Sequence, residues 1–430
     1  MKKSVLFSGM VALLLVGCTN ETQMERPEAS FPIEFGTYIG NRQAITRAET
    51  TTDVLLQDGF GLFATYSTAA LAEDAPYTPN FMYNQKVWNG GGETPGTTFV
   101  YTPVKYWPNE TATDVLSFFA YGPYVENVAA SGDNNIATGA IKDNPTSGIT
   151  GITANNNTTT APKVTYILPA RTGASTDPAE VDLVWGVVPT GTNSWSNVTS
   201  TAVDLVPGKP YRNLVKPNTT QKIVLSFKHA LAKVTFGTIA LANDVVTVND
   251  NDNANAATNT SIVVSEITLS GKGIAQGVLN LNNTTANVPL WESTSGEADF
   301  YTKVSGDQLA TGIKDAGATA TQPAGVTKTA TAILASGATA PGALLIPSTS
   351  QSVTVTIKYY TVTKDANLLN GESRVENVIS KTLTGLELAG SKAYKINIVI
   401  GITSIKVDAT VDDWDNADPQ VVDLPANIAS

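Results

Sequence analysis

The chain has 430 residues, of which 42% are hydrophobic and only 15% charged, and its formal net charge is −11. It holds enough apolar material for two packed domains, while the scarcity of charge disfavours long solvated helices. An acidic chain without a basic block is repelled by phosphate backbones, and one Cys with one His rules out disulfide scaffolds and Cys/His zinc sites, so no nucleic acid, metal or cofactor is expected.

The N-terminus reads as an address. Met1-Lys2-Lys3 is basic, and Val5 to Val16 is an apolar run too short to span a bilayer. It ends in Leu15-Val16-Gly17-Cys18, the pattern of a bacterial lipobox. Residues 1–18 are therefore expected to be a lipoprotein signal peptide, with cleavage before Cys18 and acylation (palmitate) of its thiol. Polar residues 19–29 read as a tether.

Phe31-Pro32-Ile33-Glu34-Phe35 alternates like a single strand. The Thr-rich segment that follows carries Arg42 and Arg47. It suits either a loop open to a trypsin-like protease or two ordinary surface arginines. From residue 53 onward, short strand candidates recur between Gly, Asn and Pro turns. They include 59–66, 81–88, 99–101, 115–121, 181–188, 222–227, 232–236, 261–269, 340–346, 353–362, 393–400 and 405–411. Amphipathic helical windows are scarce, so the expected fold class is all-β, built of sandwiches. Residues 127–162 and 303–338 read as long loops. The proline-rich stretch 206–220 reads as a domain boundary, giving domains at 48–215 and 216–430.

Residues that could carry chemistry are few. His229 has no acidic neighbour in sequence, and no G-x-S-x-G elbow exists. Gly271, Gly273 and Gly277 miss the dinucleotide-loop spacing by one. Asp250 to Asn255 lacks the Gly and the bidentate Glu of a calcium loop. Asp412, Asp413 and Asp415 read as a solvated strand end. No catalytic residue is assigned, and the chain does not read as an enzyme.

Several blocks together resemble the fimbrillin family, the subunits of type V pili. They are the lipobox at Cys18 with Thr46-Arg47-Ala48 downstream, Phe81 to Trp88, Pro103 to Pro108 and Leu116 to Tyr124. Asp182 to Gly186, Leu225 to Val234 and Tyr394 to Ile400 follow, with Trp414 near the end. The resemblance covers nearly the whole chain. It implies two transthyretin-like β-sandwich domains and a lipidated precursor on the cell outer membrane. An Arg-specific protease would then remove residues 19–47 with their strand. Thr-Arg-Ala favours cutting between Arg47 and Ala48 over cutting at Arg42.

In that scheme Phe31, Ile33 and Phe35 fill a groove that a donor strand from another pilin subunit, of the same or a different kind, later occupies. Two apolar sets near the C-terminus could supply the donor: Ile405, Val407, Ala409 and Val411, or Val421, Val422, Leu424 and Ile428. Both could instead belong to the chain's own C-terminal sheet. The resemblance implies a structural subunit of a fimbria that supports adhesion. The alternative is a tip or accessory adhesin, or an unpolymerised lipoprotein, that binds host glycan or protein.

Overall fold

A computed structural model describes residues 31–39, 50–90, 99–108, 113–129, 137–153, 160–190, 205–217, 221–241, 260–310, 331–338, 340–364, 367–400 and 405–414. Among these the fold is all-β, as the turn-separated alternation predicted, with one short α-helix, α1 (Thr52–Asp58), and a single 3-10 turn at Gly306–Gln308. The Thr51 hydroxyl accepts from the Val54 N–H (3.3 Å) and Asp53 sits in the first turn. Gly59, at φ 85°, stops the helix where other residues would be strained.

Three sheets carry the structure. The first runs β1 (Glu34–Ile39), β11 (Lys222–His229), β9 (Val184–Val187), β4 (Val115–Gly122), β2 (Phe60–Ser67) and β3 (Met82–Val87), with β10 (Tyr211–Leu214) also on β4. The second runs β15 (Thr331–Ala332), β12 (Ala232–Leu241), β19 (Lys392–Ile400) and β20 (Ile405–Asp413), with β16 (Gly342–Leu345) on β12. The third runs β18 (Glu372–Leu388), β17 (Ser348–Lys364), β13 (Thr260–Asn280), β8 (Lys163–Ile167), β7 (Gly148–Ile152), β6 (Ala137–Ile141) and β5 (Asn127–Ala129), with β14 (Leu290–Ser305) on β13.

The third sheet serves both of the others. In β13, Gln276 to Asn280 pair with β8, whereas Thr260 to Ser270 pair with β17. Phe63, Phe119, Tyr121 and Trp185 of the first sheet pack against Tyr166 and Leu279 of the third. Val234, Ile396 and Ile398 of the second sheet pack against Ile267, Val355 and Ile357 of the third. The result is two sandwiches that share one long sheet. Each large apolar side chain buried in these cores contributes ~1.5–3 kcal/mol.

β2 explains why the first sheet has two apolar faces. Phe63 points to the shared core, while Phe60, Leu62 and Ala64 point to the other side. That second side holds its own cluster, including Leu55 of α1, Tyr101, Trp107, Phe118 and Ile223. A strand buried on both faces reads as a continuous apolar run, as GFGLFATY does. Gly61 is required there, because a Cβ would lie 2.2 Å from the Tyr121 ring.

One expectation is corrected, and the stretch read as a domain boundary carries a strand. The stretch 127–162 is not one long loop: it contains β5, β6 and β7. Its few buried anchors, Ile141, Ile149 and Ile152, stand among Gly, Thr and Asn, which mask the alternation. The proline-rich stretch 206–220 contains β10, whose residues Tyr211, Arg212, Asn213 and Leu214 are all buried. Arg212 donates to Glu73 (3.2 Å) and Asn282 (3.3 Å), which joins this strand to the hairpin of the third sheet. β11, directly after it, hydrogen-bonds into the first sheet between β1 and β9.

The glycine triplet is also explained. Gly271, Gly273 and Gly277 lie within β13, where Phe300, Leu168 and Trp291 occupy the space a Cβ would need (2.7, 2.9 and 2.7 Å). Their spacing serves side-chain packing in a sheet. No strand-to-helix turn surrounds it.

Candidate functional site

The N-terminal strand is attached in a distinctive way. β1 pairs in parallel with β11, Phe35 opposite Ile223 and Thr37 opposite Leu225, and it ends the first sheet. Just before it, the Ile33 N–H donates to the Lys105 carbonyl (2.9 Å) and the Trp107 N–H donates to the Phe31 carbonyl (3.1 Å). The Tyr101 hydroxyl donates to the Ile33 carbonyl (2.8 Å). Burial pushes that phenol up to about 12, so it remains a donor across the physiological range.

Side chains complete the seat. Ile33 and Phe35 are 1% and 3% exposed. The Phe35 ring meets Tyr101 (5.5 Å) and Phe118 (5.7 Å) edge-on. Phe31 packs partly buried at the rim, with the Lys216 ammonium 5.6 Å from its ring centre. Two fully buried side chains with edge-to-face aromatic contacts hold the segment by several kcal/mol, ~1.5–3 for each chain and ~0.5–1.5 for each aromatic pair. All three residues named from the sequence therefore lie in one apolar groove, whose other walls are Tyr101, Trp107, Phe118, Ile223 and Leu225.

The sequence-named C-terminal residues divide. Ile405, Val407, Ala409 and Val411 lie on β20, which pairs antiparallel with β19 of the same chain, Val411 opposite Tyr394 and Val407 opposite Ile398. Val407 and Ala409 pack against the core, while Val411 is exposed. Lys395 pairs with Asp412 (2.6 Å) and Lys392 with Asp413, so these carboxylates close the strand end. Cys18, Arg42, Arg47, Ala48, Val421, Val422, Leu424 and Ile428 lie outside the described residues, as do Asp250 to Asn255 and Asp415.

An all-β chain with an apolar edge strand at its N-terminal end matches one family model, described as fimbrillin-like, over residues 46–414. The chain belongs to the fimbrillin-like family. No curated protein matches it. Among solved structures, this fimbrillin-like chain is similar to a fimbrial protein from Bacteroides vulgatus ATCC 8482, at 21% identity and a TM-score of 0.52, over 89% of this chain and 99% of that one. It also matches a candidate cell adhesion protein from Bacteroides uniformis ATCC 8492, at 14% identity and a TM-score of 0.37, over 90% and 99% of the two chains. A fimbrial assembly protein from Parabacteroides distasonis ATCC 8503 matches at 10% identity and a TM-score of 0.35, over 89% and 99%.

Two features of this fimbrillin-like protein escaped the sequence. His229 is 4% exposed, and its Nδ1 lies 2.8 Å from Asp182 Oδ2, a partner 47 positions away. Its ring stacks on Trp414 with centroids 3.9 Å apart. The same Asp182 oxygen accepts from the Thr50 N–H (2.8 Å), and the Thr50 hydroxyl donates to the Asp182 carbonyl (2.8 Å). The nearby Ser391 hydroxyl donates to the His229 backbone carbonyl (2.7 Å). Together these contacts join the end of β11, the segment ahead of β9 and the turn ahead of β19.

The second feature is a shallow cleft of about 270 Å³ lined by Arg171, Asp177, Glu180, Tyr301 and Lys303. Glu180 is buried beneath Arg171 (3.3 Å) and accepts from the Leu344 N–H (3.2 Å). Desolvation pushes its carboxyl up to about 7, against the pull of the guanidinium. The only signal in sequence was a Glu beside hydrophobic residues, which is too common to single out.

Proposed function

We propose that the chain is a structural pilin subunit of a fimbria, exported as a lipoprotein and activated by removal of its N-terminal strand. The observation that carries this reading is the seat of Ile33 and Phe35. They fill an apolar groove, Phe35 on the edge strand that ends its sheet and Ile33 directly before it. Such a strand is held by side chains and backbone bonds that another segment of alternating character can reproduce.

In this reading Cys18 carries the lipid that anchors the precursor to the cell outer membrane. An Arg-specific protease cuts between Arg47 and Ala48, with Arg42 the less favoured site. The cut severs the chain between β1 and Thr50, whose two hydrogen bonds to Asp182 tie the downstream end to the body. Once β1 leaves, Tyr101, Trp107, Phe118, Ile223 and Leu225 are uncovered together. Exposed apolar walls beside the unpaired edge of β11 then favour capture of a strand from the next subunit, and polymerisation follows. The donor comes from the C-terminal end, either from the Ile405 to Val411 set or from the Val421 to Ile428 set. The two sandwiches are the transthyretin-like domains of the scheme, and the working location is the fimbria on the cell surface.

The test is to treat residues 19–430 with an Arg-specific protease. N-terminal sequencing and an unboiled gel read the product. The expected result is a new N-terminus at Ala48 together with a ladder resistant to SDS. Clean cleavage without a ladder would exclude strand exchange by this chain alone, and resistance at both arginines would refute the activation step.

A further inference from the structure

β18 ends the third sheet, so one edge of its backbone meets no strand of that sheet among the described residues. From Ile379 onward one face of the strand packs on the core of the second sandwich, through Ile379, Leu383 and Leu386, while the other face stays exposed. Before Ile379 none of its described side chains is buried. Val375 and Val378 are 55% and 59% exposed, and Leu369 in the preceding turn is fully exposed.

Val375 is more than a stray surface valine. By the two-residue period of a strand it shares a face with Asn377 and Ile379. In the ladder with β17, Ile379 stands opposite Ile357 and Asn377 opposite Tyr359, both buried, and Val375 comes next, opposite Thr361. The core-facing stripe thus runs past the end of the core and surfaces at Val375.

The residues around this point are self-complementary. When Ser373-Arg374-Val375-Glu376-Asn377 is laid antiparallel on a second copy about Val375, Arg374 faces Glu376 twice. Val375 then meets Val375, and Ser373 meets Asn377. Centring the pair one residue earlier sets Arg374 against Arg374, and one residue later sets Glu376 against Glu376. Like charges directly opposite are destabilising and opposite charges stabilising, so charge selects one register. Arg374 and Glu376 share the face opposite Val375, where the Arg374 guanidinium lies 3.8 Å from the Tyr360 ring centre.

We propose that this edge of β18 pairs with the same edge of a second copy of the chain, extending the third sheet across a two-fold axis at Val375. A two-fold contact closes at two copies and cannot lengthen a fibre, so in an assembled polymer it joins two fibres side by side. The contact does not depend on removal of the N-terminal strand. It is therefore tested on uncut protein, where it stands or falls independently of the activation reading.

The test uses residues 19–430, which contain no Cys. V375C introduces a single thiol at an exposed position, and Cα atoms opposite each other in an antiparallel pair stand about 4.5–5.5 Å apart, within disulfide reach. Under mild oxidation V375C is expected to give a covalent dimer on a non-reducing gel. V288C, at a similarly exposed valine (50%), is expected to remain monomeric. Adding R374E to V375C should lower the dimer yield roughly tenfold, through two lost pairs, and adding E376R as well should restore it. Equal dimer yield from V375C and V288C overturns the proposal. So does a charge swap that fails to restore what the single reversal removed.

Discussion

The imidazole of His229 lies flat on the indole of Trp414, 3.9 Å between centroids and 7° from parallel, while Asp182 holds its Nδ1 from the side. Three strand ends meet in this stack: β11 ends in His229, Asp182 stands just ahead of β9, and Trp414 directly follows β20. The first two belong to the first sheet and the last to the second, so the stack fastens one sandwich to the other. Replacing Asp182 by Ala leaves a buried imidazole and the Thr50 N–H without their acceptor. A loss of ~2–3 kcal/mol is expected, read as a lower urea midpoint with an unchanged slope. Trp414→Ala should cost a comparable ~2 kcal/mol, since the indole is only partly buried.

Phe35 contributes to the stability of the fold in proportion to its burial. Phe35→Ala removes two edge-to-face contacts and opens a cavity between Tyr101 and Phe118, at an expected cost of ~3–5 kcal/mol. The loss should be local to β1. In hydrogen exchange, β1 and the facing part of β11 would lose protection while the third sheet keeps its own. Uniform loss across all three sheets would mean that β1 is integral to global stability and cannot serve as a removable strand.

Arg47→Ala should block processing while Arg42→Ala leaves it intact. Mass spectrometry after digestion with an Arg-specific protease separates the two arginines. The reverse pattern would move the cleavage site upstream by five residues.

Glu180 gives the fold a pH dependence of defined sign. Its carboxyl is pushed up to about 7 from an ordinary 4.5, so the folded chain keeps a proton that the unfolded chain releases in that interval. The stability from this group is full below about pH 4.5 and is lost as pH rises through 7, by at most ~3 kcal/mol. Glu180→Gln, neutral at every pH, should flatten the curve between those limits. Urea midpoints at pH 4.5 and 7.5 provide the comparison.

Gly61→Ala tests the tight seat of Tyr121. The new Cβ would stand 2.2 Å from Tyr121 Cε1 and 2.7 Å from Asn84 Oδ1, within the hydrogen bond that joins the tyrosine hydroxyl to Asn84 (2.7 Å). Displacing a fully buried ring should cost ~1–3 kcal/mol, measured as a fall in Tm.

Some of this protein could be read from local pattern. Alternating apolar residues identified most of the strands and the all-β class, because side-chain period and burial are properties of a few neighbouring residues. The same pattern brought out Phe31, Ile33 and Phe35, which share one groove because their two-residue spacing keeps them on one side of an extended segment that runs into β1. Where small and polar residues dilute the alternation, as in 127–152, the strands were hidden. Proline drew attention to 206–220 without saying what is buried between the prolines, where β10 lies.

Other features depend on distant residues meeting, and only the tertiary structure decided them. These are the parallel seat of β1 on β11, the sharing of one sheet by two sandwiches, and the Asp182–His229–Trp414 stack. Each joins positions tens to hundreds of residues apart, which no local period records. The environment of Glu180 belongs with them: its carboxyl is pushed up only when folding removes its water, and the sequence carries no trace of that desolvation.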